Sequence, residues 1–327
     1  MRLYKKAAAC LLTAAMAISM LTACGGGGNG GNGGGNTPSP LPNNPDQIVL
    51  PDPGDGEGGG AGGGEGTETK PTKTLIIDVN NSKLAQFNKK YAGATEFYVE
   101  GQMIGYGEDG SVKQSGDVRL AAKSNNVYMK MTLSRKNQKQ QSVEQLMLKE
   151  GDYNNNYLLL RDSKVAVRTS SYKSESDDNV SLGALITEKL PSQMWSTEVK
   201  VGPTKYYAEV YNTYSYEYTT CFTADGKPVY RFVRNLIEKQ LESATLYKTI
   251  LAGSGTSKGL CRIPTGFKTY SINFSLHTIT DANDNVFSIV LQTNGEGDVT
   301  SVKVFDTNNK DVSNNFKWVN DLYMMYK

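Results

Sequence analysis

Histidine is nearly absent from this chain of 327 residues, in which His277 stands alone. An imidazole-based metal site needs more than one histidine, and a Ser-His-Asp triad needs its histidine beside a nucleophile and a carboxylate. The single His277, in a strand-like run, argues against both and reads as structural. No Walker-type phosphate loop, zinc-protease helix or nucleophile elbow is present either. The run Asp281–Asn285 places oxygens at a calcium-loop spacing but lacks that loop's central glycine and distal glutamate, so it reads as an Asx-rich turn. Glu175, Asp177 and Asp178 fall in the polar stretch Ser170–Asn179 and read as solvated. The sequence thus points to a non-enzymatic protein with no metal and no cofactor.

Long apolar runs are also missing. The longest, Ala7 to Met20, falls short of the roughly 20 residues a membrane span needs. Arg2, Lys5 and Lys6 precede or open it, and no acidic residue occurs among the first 23. That is the layout of a secretory signal. It ends in Leu21-Thr22-Ala23-Cys24, which resembles the bacterial lipobox. There, small residues lie extended in a peptidase groove, and the cysteine thiol accepts a diacylglycerol group before cleavage. The resemblance implies a signal peptide over 1–23 and a lipid anchor at Cys24. It implies an extracytoplasmic lipoprotein held at the cell membrane, since two or three acyl chains on one residue suffice for stable anchoring.

Clustered charge of one sign is the third absence. Removing residues 1–23 takes away three of the 35 bases, leaving 32 against 33 acids. A nucleic-acid partner would call for a concentrated basic face, and none is seen. Nothing specifies an oligomeric state. Of the four cysteines, Cys10 goes with the signal and Cys24 with the lipid. Cys221 and Cys261 remain, and a bridge between them or two buried free thiols are both open in an exported protein.

Glycine, by contrast, is abundant and uneven: 18 of the 34 lie in residues 25–70, with Asn, Pro and acids and almost nothing apolar beyond Ile48-Val49-Leu50. Such composition buries too little surface to offset its ordering entropy. Residues 24–70 are therefore expected to be a disordered tether behind the lipidated cysteine.

The remaining residues are rich in Tyr, Thr and Val and read as strand-dominated. A short helix is expected over Ser82–Tyr91, with Ser82 as cap and Leu84, Phe87 and Tyr91 on one face. Alternating runs follow at Glu96–Gly101, Asp117–Lys123, Val127–Leu133, Gln141–Lys149, Tyr157–Arg161 and Lys164–Thr169. Ser181–Leu190 reads as a helix, and Pro191 opens a turn ending near Trp195. Strands resume at Lys205–Tyr211 and Tyr214–Phe222, and Asp225-Gly226 marks a hairpin into Pro228–Arg234. Ser243–Leu251, Ser271–Thr278, Val286–Gln292 and Val299–Phe305 read as further strands. Trp318, Leu322, Tyr323 and Met324 return the C-terminus as a strand or helical turn.

Two stretches, GDVRLAAKSNNVYMKMTL (Gly116–Leu133) and FTADGKPVYRF (Phe222–Phe232), together with Arg262-Ile263-Pro264-Thr265-Gly266 and the order of elements, resemble the LolA/LppX superfamily of lipid-binding lipoproteins. The resemblance implies an α+β, mainly antiparallel β fold: a half-open, curved, barrel-like sheet with a few short helices on its concave side. That domain would span 71–270, leaving 271–327 as a C-terminal β extension or small subdomain. It also implies a sheet-lined cavity for a hydrophobic or amphipathic ligand, a lipid or acyl chain, carried free or on another lipoprotein. The expected liners are Phe97, Val99, Val118, Leu120, Val127, Met129, Met131, Leu133, Leu146, Leu148, Leu158 and Leu160. The same stripe suits any half-buried sheet with a filled core. A second class of function is a surface-displayed adhesion or interaction module using Tyr206, Tyr207, Tyr211, Tyr214, Tyr216 and Tyr218.

Overall fold

The computed structural model describes residues 40–51, 75–135, 140–173 and 190–325. The signal segment, Cys24, most of the expected tether and the helix expected over Ser181–Leu190, apart from Leu190 itself, lie outside the described residues. Two α-helices occur within them, α1 (Lys83–Tyr91) and α2 (Lys317–Met325). The strands are β1 (Ile48–Val49), β2 (Leu75–Ile77), β3 (Glu96–Tyr106), β4 (Val112–Lys123), β5 (Asn126–Arg135) and β6 (Gln141–Glu150). They continue as β7 (Tyr153–Leu160), β8 (Val165–Lys173), β9 (Met194–Val201), β10 (Thr204–Asn212), β11 (Tyr216–Phe222) and β12 (Pro228–Asn235). The last five are β13 (Gln240–Ala252), β14 (Lys268–Asn273), β15 (Thr278–Asp281), β16 (Val286–Thr293) and β17 (Val299–Phe305).

All seventeen belong to one curved, mostly antiparallel sheet. From β9 it runs through β10, β11, β12 and β13 to β3, then through β4 to β8. β14 joins β8 in parallel, and hairpins add β15, β16 and β17. β1 and β2 share the far edge of β9. Among the described residues no register joins β17 back to β9, β1 or β2, so the sheet stays open. Close strand approach is built into β4 at Gly116, where a Cβ would stand 2.0 Å from the Thr132 carbonyl oxygen.

Alternation sorts the side chains onto two faces. On the concave face, cross-strand neighbours Val99 and Leu120, Leu120 and Met129, and Val118 and Met131 form an apolar floor. α1 lays Leu84, Phe87 and Tyr91 onto it. Its start is well defined: Ser82 Oγ accepts from the Ala85 N–H at 2.9 Å. Two more free donors of the first turn, the Lys83 and Leu84 N–H groups, meet Glu209 of β10 at 2.7 and 2.9 Å. A carboxylate there satisfies orphan donors and opposes the positive end of the helix dipole. α2 covers the other half of this face. Trp318, Val319, Leu322 and Tyr323, at helical spacing, pack with Val165, Val167, Ile272, Ile289, Val302 and Val304.

The convex face is covered by two segments with little regular structure. Residues 253–267, between β13 and β14, bring Leu260, Cys261, Ile263 and Phe267 against Tyr98, Tyr128, Leu146 and Leu159. Glu96 anchors this strap, accepting from Ser257 Oγ at 2.6 Å and the Ser257 N–H at 3.0 Å. A second strap, residues 40–51, buries Leu41, Ile48 and Leu50 against Ile104, Tyr106, Val199, Val201 and Phe232. Tyr106 donates its hydroxyl to the Pro42 carbonyl at 3.1 Å, and Arg234 donates to the Pro51 carbonyl at 2.6 Å.

Several expectations change. Residues 40–51 are not tether: three apolar side chains find an uncovered sheet face, and β1 adds to its edge. Met194–Val201 is a strand where only a turn ending near Trp195 was expected. His277 is not in a strand; it is an exposed turn residue with φ 52° between β14 and β15. The C-terminus closes as a helix, and residues 268–305 extend the same sheet rather than forming a separate one. Cys221 and Cys261 are both buried, in different clusters and not joined by a disulfide, so the bridge gives way to two thiols. Burial pushes the Cys261 thiol up to about 11. The Asx reading of Asp281–Asn285 holds: Asp281 Oδ1 accepts from the Asn283 and Asn285 N–H groups.

Candidate functional site

The twelve expected cavity liners do not form one site. Phe97, Val99, Val118, Leu120, Val127, Met129 and Met131 are buried beneath α1, with Leu133 half-buried at their margin. They make a packed core with the helix rather than an open wall. Leu146 and Leu148 lie on the opposite face under the strap of residues 253–267. Leu158 and Leu160 belong with the cluster under α2. The six tyrosines are scattered too. Tyr211 is buried, Tyr206 sits edge-on to Tyr230, Tyr216 and Tyr218 are half-buried, and only Tyr207 and Tyr214 are exposed.

A cleft of about 570 Å³ opens instead beside Leu158 and Leu160, where β6 and β7 part company. The β6–β7 ladder runs from Glu150–Tyr153 to Gln145–Leu158 and stops there. On the outer sides pairing continues: β6 stays with β5 as far as Gln141, and β7 stays with β8 as far as Leu160. The two strands therefore separate over Gln141–Glu144 and Leu159–Arg161 while each remains fixed to its other neighbour. Val143, Leu158 and Leu160 supply apolar lining, and Trp318 and Asp321 of α2 complete it from the concave side.

Trp318 is held by rings. Its centroid is 5.3 Å from Tyr270 and 6.2 Å from Phe316, which in turn lies 4.6 Å from Phe287. Its Nε1 is buried and has no hydrogen-bond partner. A buried N–H left without an acceptor costs free energy that an incoming acceptor can recover.

Charge is concentrated on the convex side of the cleft. Glu144 is 5 % exposed and accepts from Arg161 Nε at 2.9 and 3.0 Å and from Arg161 Nη2. Lys130 Nζ stands 3.8 Å from the same carboxylate. The hydrogen bond to Glu144 raises the Arg161 pKa, and the guanidinium lies 5.5 Å above the Phe267 ring. Burial, then the Glu144 charge, pushes the Tyr128 phenol up. The Glu144–Arg161 pair thus reaches across the parting strands as a strut. Two cations face one buried carboxylate, so donor capacity is left over at the rim. Among the described residues no group of three or more His, Cys, Asp or Glu could hold a metal.

In the sequence Trp318 was read only as part of the C-terminal return, and the Glu144–Arg161 pair was not singled out. One signal was there: Glu144 shares its parity with Leu146 and Leu148, so an acid sits on a buried face.

No protein-family model matches the chain, and no curated protein matches it. Among solved structures it is similar at 12 % identity to the MucA/MucB complex of Pseudomonas aeruginosa, over 72 % of this chain and 91 % of that one, with a TM-score of 0.27. A second structure, MucB in complex with MucA(peri), gives 12 % identity over 70 % and 88 %, with a TM-score of 0.25. At these values neither likeness bears on what the chain does.

Proposed function

We propose that this protein is an extracytoplasmic lipoprotein, anchored through Cys24, that binds an amphipathic ligand in the cleft between β6, β7 and α2. The observation that carries this reading is the cleft itself: an apolar patch of Val143, Leu158, Leu159, Leu160 and Trp318 set among polar and charged residues that include Lys130, Arg161 and Glu144. Its volume falls within the range of small-molecule sites, and an apolar patch beside charged groups suits a ligand that is itself amphipathic. The anchor rests on the order of basic segment, apolar run and lipobox-like Leu21–Cys24. On this reading only residues 25–39 lie between anchor and body, and they can span at most about 50 Å.

The chain has two tryptophans, so Trp195→Phe leaves Trp318 as the reporter. Titration of that variant with dodecanoate or a lysophospholipid should shift and saturate Trp318 emission, and Trp318→Phe on top of it should remove the signal. Saturable shifts absent for both amphiphiles would defeat the reading. Metabolic labelling with an alkynyl fatty acid tests the anchor, and labelling that survives Cys24→Ser would place it elsewhere.

A further inference from the structure

The walls of the cleft carry more information than its volume, because both are strand edges. In an antiparallel strand the N–H and C=O of one residue point to the same neighbour, and the direction alternates along the chain. The Lys149 N–H points towards β5, donating to Asn126 Oδ1 at 3.0 Å. Stepping back in twos, Gln145, Val143 and Gln141 also face β5. Ser142 and Glu144 therefore face the gap. The last ladder pair, Gln145–Leu158, then turns Leu158 towards β8, so Leu159 and the Arg161 N–H face the gap from the other side, while the Arg161 carbonyl is taken by the Lys164 N–H at 3.1 Å in the turn that follows β7. Ser142 and Glu144 on one side and Leu159 with the Arg161 N–H on the other thus confront each other, and among the described residues no register joins them. Open edges of this kind are a template for another strand, and proteins usually cover or blunt them.

We infer that the cleft takes an extended polypeptide segment, which adds as a strand to the edge of β6 or β7. This rests on the amphipathic site proposed above and names its ligand class. The side chains of such a segment would alternate in the way the cleft does. Every second one would meet Val143, Leu160 and Trp318 on the concave side, which suits apolar residues. The others would meet Lys130 and Arg161 on the convex side, which suits polar or acidic ones. The backbone would supply affinity and these two rows selectivity, as in other cases of strand addition. The Glu144–Arg161 strut keeps the fork stapled on one face.

The test uses the full mature chain in detergent and a phage-displayed library of random nonapeptides. Enriched peptides should alternate apolar and polar residues, and binding should slow amide exchange at Ser142, Glu144, Leu159 and Arg161. Methylating the alternate peptide nitrogens that face the edge should weaken binding at least tenfold, and methylating the other set should leave it intact. Ser142→Pro removes one gap-facing donor and no ladder bond to β5, so it should weaken binding with little change in thermal midpoint. No enrichment, or peptides that protect none of these amides and tolerate both methylation patterns, would overturn the inference. Dodecanoate binding separates the two proposals. If it shifts Trp318 emission while no peptide binds, the amphipathic site stands and strand addition falls; if neither binds, both fall.

Discussion

Glu96 shows how much a single carboxylate can hold in this molecule. It stands at the start of β3, 6 % exposed, and takes both donors of Ser257 from the convex strap. Those hydrogen bonds, the side-chain one first, with Lys123 at 3.4 Å, pull its pKa from 4.5 down to about 2. A depressed carboxyl contributes stability above its unfolded value and loses it as pH falls towards the folded one. The contribution of Glu96 should therefore be complete above about pH 4.5 and fade between there and about 2. Urea midpoints recorded from pH 5.5 to 2.5 should fall more steeply for the natural protein than for Glu96→Gln; parallel curves would show that the strap is not held this way. Gly116 is the steric counterpart. A methyl group there meets the Thr132 carbonyl at 2.0 Å, so Gly116→Ala should cost about 3 kcal/mol, readable as a lower urea midpoint. Neither role was legible in the sequence, where Glu96 is one acid among 33 and Gly116 one glycine among 34. Both depend on a partner brought close only by the fold.

At the scale of elements, legibility tracks how local the cause is. α1 was readable because its cap and its apolar face lie within ten residues, Ser82 to Tyr91. The Asp225-Gly226 turn was readable for the same reason, and Gly226 takes the positive φ, 79°, that favours glycine. β9 was not, since Ser196, Thr197, Glu198 and Lys200 dilute its alternation, and its pairing with β10, β1 and β2 sustains it. β3 and β4 outrun their apolar runs through Gln102, Gln114 and Ser115 because ladder bonds need only backbone. The fork between β6 and β7 is invisible because nothing local marks it: Leu158, Leu159 and Leu160 run unbroken across the point where the strands part. The hold of Glu209 on α1 gives a test at this scale. Its burial raises the carboxyl pKa, although the Leu84 and Lys83 N–H groups pull the other way. Glu209→Ala removes an acceptor from two buried or half-buried donors, each worth about 1–3 kcal/mol when left unmet. Amide exchange in α1 should speed up by more than tenfold while that of β14–β17 stays unchanged. Uniform acceleration would mean that α1 does not open separately.

The described residues form one sheet with two apolar faces, each covered in two places: helices on the concave side, straps on the convex side. Its continuity rests on the parallel seam between β8 and β14, Lys268–Val165 to Ser271–Arg168. The core under α2 draws on both sides of that seam, with Leu158, Val165 and Val167 from one and Ile272, Ile289, Val302 and Val304 from the other. A boundary at residue 270 would cut this core in half, which is why a separate C-terminal unit, plausible from the sequence, is not what the pairing describes. The full chain should accordingly melt in a single transition with matching calorimetric and van't Hoff enthalpies. Truncation after Phe267 removes β14–β17 and α2 and returns Leu158, Val165 and Val167 to water. At about 1.5–3 kcal/mol for each such side chain, the midpoint should drop by about 10 °C or more. Dye binding to the newly exposed patch should rise at the same time, and the amphiphile response of Trp318 is lost with its helix. Two resolved transitions in the full chain, or a truncated chain that melts where the full one does, would show that the seam joins two independent bodies. The cleft would then lie at a joint between them, and its width would be free to change with their separation.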